Sequence, residues 1–172
     1  WYISANLGVK DKLAGHLASG LKPNGVPKKL KGTSLPFLYN DEDSFKKLMN
    51  LHGDEVAAIV MEPVRNKKPS PSFFKTIDKY KKKHNTILII DEISSGFRLL
   101  TGGAHLKYGI KPDVAVFSKG LGNGYPISAI LGKSEIMSAA EKTFLSSTNW
   151  TERIGPTAAL KTLEIKEKKP TI

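Results

Sequence analysis

The sequence predicts an α/β fold in which a mostly parallel sheet is flanked by helices. Four short apolar runs rich in β-branched residues have the composition of buried strands. The first of these runs alternate along the chain with segments in which apolar residues recur every three or four positions, as they do in helices. The first three runs are each followed by charged residues, as expected where the carboxyl ends of parallel strands form a ligand crevice.

The elements follow this alternation along the chain. Residues 1–36 are rich in Gly and Pro and are predicted to be mostly loop. Asp41 and its neighbours are cap candidates for a helix over 44–51, which Gly53 ends. The remaining predicted elements are strand 56–61, helix 69–83, strands 86–90, 114–117 and 127–131, helix 134–142 capped by Ser134, and a last helix from Pro156 towards Lys168.

Composition excludes several classes of protein. The chain has 172 residues, with 27 Lys and Arg against 16 Asp and Glu, a net charge of +11 and no Cys. A disulfide-stapled fold, thiol catalysis and a thiolate metal site are therefore excluded, and the four His show no metal spacing. No apolar run approaches the roughly 18 residues that span a bilayer, so we expect no membrane partner and a cytoplasmic location. The missing initial Met and the end just after a predicted helix favour a fragment.

The basic charge raises nucleic acid as a possible partner. Its densest patch is Lys79–His84, within the predicted helix 69–83. Lysine runs are more often solvated helix faces than binding sites, and no nucleic-acid motif accompanies this one. We therefore expect no nucleic-acid partner and keep a basic binding module as an alternative function.

Charged residues after three predicted strands form a candidate active site. Glu62, the pair Asp91-Glu92, and Lys119 follow successive strands and should meet at one sheet edge. A lysine desolvated in a dry crevice forms imines with carbonyl compounds. A nearby carboxylate can keep a pyridinium nitrogen protonated, and pyridoxal-phosphate enzymes use this pairing. The spacing favours imine chemistry without identifying the cofactor.

Three motifs resemble the core signature of class III pyridoxal-phosphate-dependent aminotransferases, and within them most closely the glutamate-1-semialdehyde 2,1-aminomutase group. They read IDEISSGFR at 90–98, GIKPD at 109–113 and FSKGLGNGYP at 117–126. The resemblance implies the large domain of a fold-type I transferase, with pyridoxal 5'-phosphate as cofactor. It implies amino transfer by a transaminase or aminomutase, through an imine on a lysine. It also implies a small-molecule amino donor, an oxo acceptor and a homodimer with a shared active site.

The same resemblance implies roles for individual residues. Lys119 matches the lysine that forms the imine and moves the proton, and Asp91 matches the partner of the pyridine nitrogen. Ile93 matches a branched residue packed on one ring face, although an ordinary core role fits it equally well. Glu62 matches the acid of the Glu-Pro motif near the cofactor, and a structural role at the strand end fits it as well.

The cofactor phosphate has two candidate ligands. Thr151, five residues before Pro156, has the family spacing for a threonine that binds phosphate across the dimer interface. Thr148 is a rival because residues 146–156 depart from the common motif, and a plain helix cap fits either threonine. The departure at 150–153, where Trp150 could line a substrate entrance, keeps a sugar-like oxo substrate for surface polysaccharide synthesis as an alternative.

Other family features are expected to lie outside the chain. The resemblance covers residues 1–168, and it makes residues 1–172 part of the cofactor-binding large domain. The family's N-terminal phosphate loop and C-terminal small domain are then absent. Arg65 and Arg98 could hold a substrate carboxylate, but salt bridges within the strand-end motifs are the favoured interpretation.

Overall fold

A computed structural model describes residues 2–9, 12–16, 20–146, 148–149 and 151–169. The chain forms two compact units that divide between Glu55 and Val56. Among the described residues, no helix combines the length and the apolar character that crossing a membrane requires.

Among its described residues, the first unit contains two α-helices, α1 (Tyr2–Asn6) and α2 (Glu42–His52). The Asp41 carboxylate accepts a hydrogen bond of 2.9 Å from the Ser44 amide, which confirms Asp41 as the cap of the predicted helix. Gly53 ends α2 with helical backbone angles and begins a 3-10 turn that extends to Glu55.

The second unit is built on a four-stranded sheet. Its strands are β1 (Ala58–Met61), β2 (Ile87–Asp91), β3 (Val114–Phe117) and β4 (Ala129–Gly132), in the spatial order β1-β2-β3-β4. The first three strands are parallel and β4 is antiparallel to β3. This arrangement confirms the predicted mostly parallel sheet and brings the carboxyl ends of β1, β2 and β3 to one edge.

The helices of the second unit are α3 (Pro71–His84), α4 (Ala104–Lys107), α5 (Ser134–Met137) and α6 (Ile154–Lys168). The predicted helix 134–142 is wrong in its second half, where Ser138–Lys142 forms a 3-10 turn. Ser134 does not act as a cap, because α5 begins at this residue and Lys133 precedes it without a side-chain cap bond. Neither short element buries a residue, so little packing stabilises a longer helix.

An apolar cluster fixes α6 near the end of β3. Ala159 of α6 is buried with four residues from β3 and from the segments that follow β2 and β3, and Leu163 packs against the cluster. The other members are Phe97, Ala115, Phe117 and Leu121. Because apolar burial is the main stabilising term in folding, this cluster sets the position of α6 relative to the strand end.

A buried carboxylate joins α3 to the sheet. Asp113, just before β3, accepts a 2.8 Å hydrogen bond from the Leu88 amide of β2. Its carboxylate also forms ion pairs with Lys81 of α3 at 2.6 Å and with Lys133 at 2.7 Å. Lys81 therefore departs from the predicted solvated lysine face, whereas Lys79, Lys82 and Lys83 are exposed.

Candidate active site

Lys119 lies in the turn that follows β3, at the carboxyl edge of the parallel strands. Its backbone has a φ of +40°, in the left-handed region that L-residues rarely adopt. Its side chain is directed to the segment after β2, where Nζ donates a 3.0 Å hydrogen bond to Oγ of Ser94. The primary amine is therefore held at the junction of two strand ends.

The segments after β2 and β3 approach each other closely at Gly120. A Cβ atom on this residue would lie 2.6 Å from the carbonyl oxygen of Gly96 and 3.5 Å from Cγ of Arg98. A side chain at position 120 would push the two segments apart. The glycine after the lysine therefore serves a packing need that the sequence alone does not show.

Lys119 lines a pocket with a volume of about 710 Å³. The pocket is formed by the segments after β2 and β3 and by the last turn of α6. Its lining residues are Phe97, Arg98, Ser118, Lys119, Gly120, Asn123, Gly124, Tyr125, Pro126 and Lys166. A volume of this size lies in the range of small-molecule sites, roughly 300–1,000 Å³.

Asp91 ends β2 beside Val116, its register partner in β3. Its Oδ1 atom accepts a 2.9 Å hydrogen bond from the amide of Ile93, so the carboxylate is turned back over the start of the following segment. Both side chains are half-buried. This contact fixes the orientation of the carboxylate that sequence analysis assigned to the pyridine nitrogen.

Glu92 has a structural role that sequence analysis did not assign. Its side chain is fully buried, and Oε2 accepts from Oγ of Ser95 at 2.6 Å and from the amide of Ala104 at 3.1 Å. Oε1 accepts from the His105 amide and contacts Nδ1 of the same histidine, both at 2.7 Å. Its position directly after a buried strand was the sequence signal for such a role, but the sequence does not identify its hydrogen-bond partners, which lie up to 13 residues away.

Glu62 lies at the end of β1 and forms an ion pair with Arg65 at 3.4 Å. This salt bridge is what sequence analysis favoured for Arg65 over a role in binding substrate. It also gives Glu62 a structural partner three residues along the chain.

Thr148 and Thr151 are both exposed, and Trp150 lies outside the described residues. The first turn of α6 is capped by another residue, because Glu152 accepts hydrogen bonds from the amides of Ile154 and Gly155. A side chain thus already satisfies two of the free N–H groups expected at this helix start.

The structure brings some of the predicted residues together and leaves others apart. Of the residues predicted to be catalytic or to bind the cofactor, Lys119 lines the pocket. Asp91, Ile93, Glu62 and Thr151 do not line it. Lys119 is exposed, so the predicted desolvation of its amine is not found in this chain. Within the described part of the chain, no group of His, Asp and Glu residues has the arrangement of a metal site.

Comparisons with known proteins support the resemblance. Residues 30–171 match the family model described as "Aminotransferase class-III". The chain is similar to 3-aminobutyryl-CoA aminotransferase of Cloacimonas acidaminovorans, with 38% identity over 84% of this chain and 36% of that protein. It is also similar to glutamate-1-semialdehyde 2,1-aminomutase of Hyperthermus butylicus, with 35% identity over 83% of this chain and 35% of that protein.

A solved structure extends the comparison to the fold. The internal aldimine form of the FumI protein from Sphingopyxis sp. MTA144, with its pyridoxal phosphate, superposes with a TM-score of 0.79. The identity is 27%, over 84% of this chain and 36% of that one. The chain thus spans about a third of the length of the curated relatives it matches.

Proposed function

The chain belongs to the aminotransferase class-III family, and we propose that it carries the lysine-bearing part of a pyridoxal-phosphate site for amino-group transfer. The reaction is that of a transaminase or of a glutamate-1-semialdehyde type aminomutase, in line with the names of its relatives. The observation that carries the proposal is Lys119, which lies at the carboxyl edge of the parallel strands, lines a pocket there and donates from Nζ to Ser94.

The residues present fit two groups of this cofactor, its aldehyde and its ring nitrogen. A primary amine on Lys119 and a carboxylate on Asp91 are the donor set that the aldehyde and the ring nitrogen of pyridoxal phosphate require. Gly120 leaves no room for a Cβ atom, which keeps the lysine turn close against the segment after β2. When bound, pyridoxal phosphate supplies an aldehyde that reacts with amines and a ring that withdraws electrons from the substrate carbon.

The roles proposed for the chain's own residues are those that the family resemblance implies. Nζ of Lys119 would accept a proton from the substrate carbon and return it, and Ser94 would orient this amine through the 3.0 Å hydrogen bond. Asp91 would hold the proton on the ring nitrogen, and Ile93 would pack against the ring. Glu62 would orient the site from the end of β1, and Thr151, with Thr148 as its rival, would bind the phosphate.

The proposal extends to the domain organisation and the assembly. The chain spans about a third of its relatives, which supports assigning residues 1–172 to part of a cofactor-binding large domain. The phosphate loop and the small domain then come from sequence beyond these residues. Phe144 is 96% exposed and Leu145 is 59% exposed, and such apolar residues a few positions before Thr151 in the sequence suit a homodimer that shares the site. The absence of Cys suits the cytoplasm.

Reductive trapping tests the proposal on the chain itself. Pyridoxal phosphate is added, the imine is reduced with borohydride, and the modified lysine is located by mass spectrometry after digestion. We expect labelling concentrated at Lys119, lost in Lys119→Arg and retained in Lys111→Arg, an exposed lysine outside the pocket. Labelling spread evenly over the lysines, or unchanged in Lys119→Arg, would contradict the assignment.

A further inference from the structure

The lysine of the candidate site lies in a loop that joins β3 to β4. The loop begins where the pairing of these strands ends, at Phe117 opposite Ala129. It is rich in glycine, and the φ angles of Lys119, Asn123 and Gly124 are +40°, +45° and +111°. A loop of this composition has many accessible conformations, so contacts beyond its local backbone must select the one that is observed.

Ser118 is bonded to both sides of this loop. Its hydroxyl donates a 2.8 Å hydrogen bond to the carbonyl oxygen of Ile127, nine residues along the chain. Its own carbonyl oxygen accepts from the Leu121 amide at 3.0 Å. Leu121 is buried in the apolar cluster at the end of β3, and Ile127 packs against the same cluster. Ser118 therefore joins the two sides of the loop just beyond the last paired residues of β3 and β4.

Lys119 is confined from both directions along the chain. The bonds of Ser118 fix the peptide before it, and its own carbonyl oxygen accepts from the Asn123 amide at 2.9 Å. After it, Gly120 lies so near the Gly96 carbonyl oxygen that a Cβ atom would come within 2.6 Å. A non-glycine residue with a positive φ stays in that conformation only where its surroundings hold it. Loss of the Ser118 side-chain bond should therefore free one end of the lysine backbone and displace Nζ.

We propose that Ser118 is a positioning residue for Lys119. Its hydroxyl closes the loop and thereby holds the lysine in the conformation that places Nζ 3.0 Å from Oγ of Ser94. The inference rests on the proposed function, since it concerns the lysine that reacts with the aldehyde of the cofactor. In this role Ser118 acts through Lys119 and contacts neither substrate nor cofactor.

A binding role for Ser118 is the alternative, because this residue also lines the pocket. An anion such as the cofactor phosphate requires hydrogen-bond donors, and a serine hydroxyl has a single proton to donate. In Ser118 this proton is directed to the carbonyl oxygen of Ile127, which can only accept. The geometry therefore favours the positioning role over the binding of an anion.

Borohydride trapping measures the reactivity of Lys119 in the chain and in three variants. Ser118→Ala removes the hydroxyl, Ser118→Thr retains one, and Ser138→Ala removes an exposed hydroxyl that donates to the Glu135 carbonyl. The initial rate of labelling at Lys119 should fall about fivefold in Ser118→Ala, as for the loss of one net hydrogen bond. Labelling in Ser118→Thr and in Ser138→Ala should match the parent. The fall should be equal with pyridoxal phosphate and with pyridoxal, which lacks the phosphate.

Hydrogen exchange in the cofactor-free chain measures the order of the loop directly. The amides of Leu121 and Asn123, which donate to Ser118 and Lys119, should exchange about fivefold faster in Ser118→Ala. The amide of Ala115, in the middle of β3, should exchange at the parent rate. This pattern would localise the effect to the loop and separate it from a general loss of stability.

Several outcomes would overturn the proposal. A loss of labelling confined to pyridoxal phosphate would assign Ser118 to the phosphate. Full labelling in Ser118→Ala, a defect that Ser118→Thr does not restore, or equal acceleration of exchange at Ala115 would also contradict a positioning role. If Lys119 of the parent reacts with neither aldehyde, the proposed function fails. Exchange at Leu121 and Asn123 then decides by itself whether Ser118 holds the loop.

Discussion

At the scale of single residues, the buried carboxylate of Glu92 organises the segment that faces Lys119. It binds Ser95 at one end of this segment and Ala104 with His105 at the other. A buried charge is costly unless it is fully hydrogen-bonded, and here four contacts at 2.6–3.1 Å compensate for it. This carboxylate therefore helps to fix the segment that carries Ser94 and Arg98.

Replacing this carboxylate should loosen the segment. Glu92→Leu leaves the donors of Ser95, Ala104 and His105 unsatisfied, and should lower the free energy of unfolding by about 3 kcal/mol or more. Glu92→Gln keeps one carbonyl acceptor and should lose less. Urea unfolding gives the stability, and hydrogen exchange at Ala104 and His105 should accelerate in both variants.

A matched control separates this effect from general loss of charge. Glu164, which pairs with Lys161 at 3.0 Å, is partly exposed. Glu164→Gln should change stability by less than about 0.5 kcal/mol, as exposed pairs do. Unchanged exchange at residues 104–105 in Glu92→Leu would show that the carboxylate does not hold the segment.

The sequence predicts those features of the candidate site that depend on strand order. It does not predict those that depend on packing between segments far apart in the sequence. Strand ends predicted that Lys119 and Asp91 would meet at one edge, because parallel neighbours align their carboxyl ends. The exposure of Lys119 and the cationic lining from Lys166 were not predictable. They depend on how α6 packs and on which other segments cover the turn.

At the scale of elements, the residues at which a strand or helix begins and ends depend on pairing and packing with other parts of the chain. The prediction for β3 was correct at both ends, since Val114–Phe117 is paired on both sides. Residues 56–57 were predicted in β1, but pairing with β2 begins at Ala58 opposite Ile87. The helix predicted from 69 begins at Pro71, because proline fits the first turn of a helix.

The Asp113 carboxylate connects three parts of the second unit, because it binds Leu88 of β2, Lys81 of α3 and Lys133, the residue before α5. Burial alone would raise the pKa of Asp113. The Leu88 amide and then the ammonium groups of Lys133 and Lys81 outweigh that effect and hold the pKa below its usual range. The Lys133 pKa is raised by its hydrogen bond to the same carboxylate.

Removing the charge should destabilise the second unit. Asp113→Asn leaves two lysines without their counter-charge, and we expect a loss of about 3 kcal/mol at pH 7. A carboxyl whose pKa is depressed by folding stabilises the protein above its unfolded pKa, about 4, and loses this contribution as pH falls towards the folded pKa. The gap between the parent and the variant should therefore narrow below about pH 4.

Urea unfolding at pH 7, 5, 4 and 3 measures this gap. Asp78→Asn, which removes an exposed partner of Lys82, should cost less than about 0.5 kcal/mol at pH 7. A constant gap across this range would mean that the ionisation of Asp113 does not contribute to stability.

At the scale of the whole molecule, the net charge of +11 opposes folding. Compaction brings like charges together, whereas ion pairs such as Lys46–Glu42 at 3.1 Å act in the opposite direction. Exposed pairs contribute only about 0–1 kcal/mol each, and the buried carboxylate pair at Asp113 is screened little by salt. Repulsion should therefore dominate the response of stability to ionic strength.

We accordingly expect NaCl to stabilise the chain. Raising it from 20 to 150 mM shortens the Debye length from about 20 to about 8 Å and should increase the free energy of unfolding by roughly 1 kcal/mol. Lys28→Glu combined with Lys29→Glu lowers the net charge by four at exposed positions and should reduce this salt dependence. Urea midpoints at both salt concentrations measure it. A fall in stability with salt would mean that ion pairs outweigh the repulsion. An identical response in the double variant would show that the net charge is not its cause.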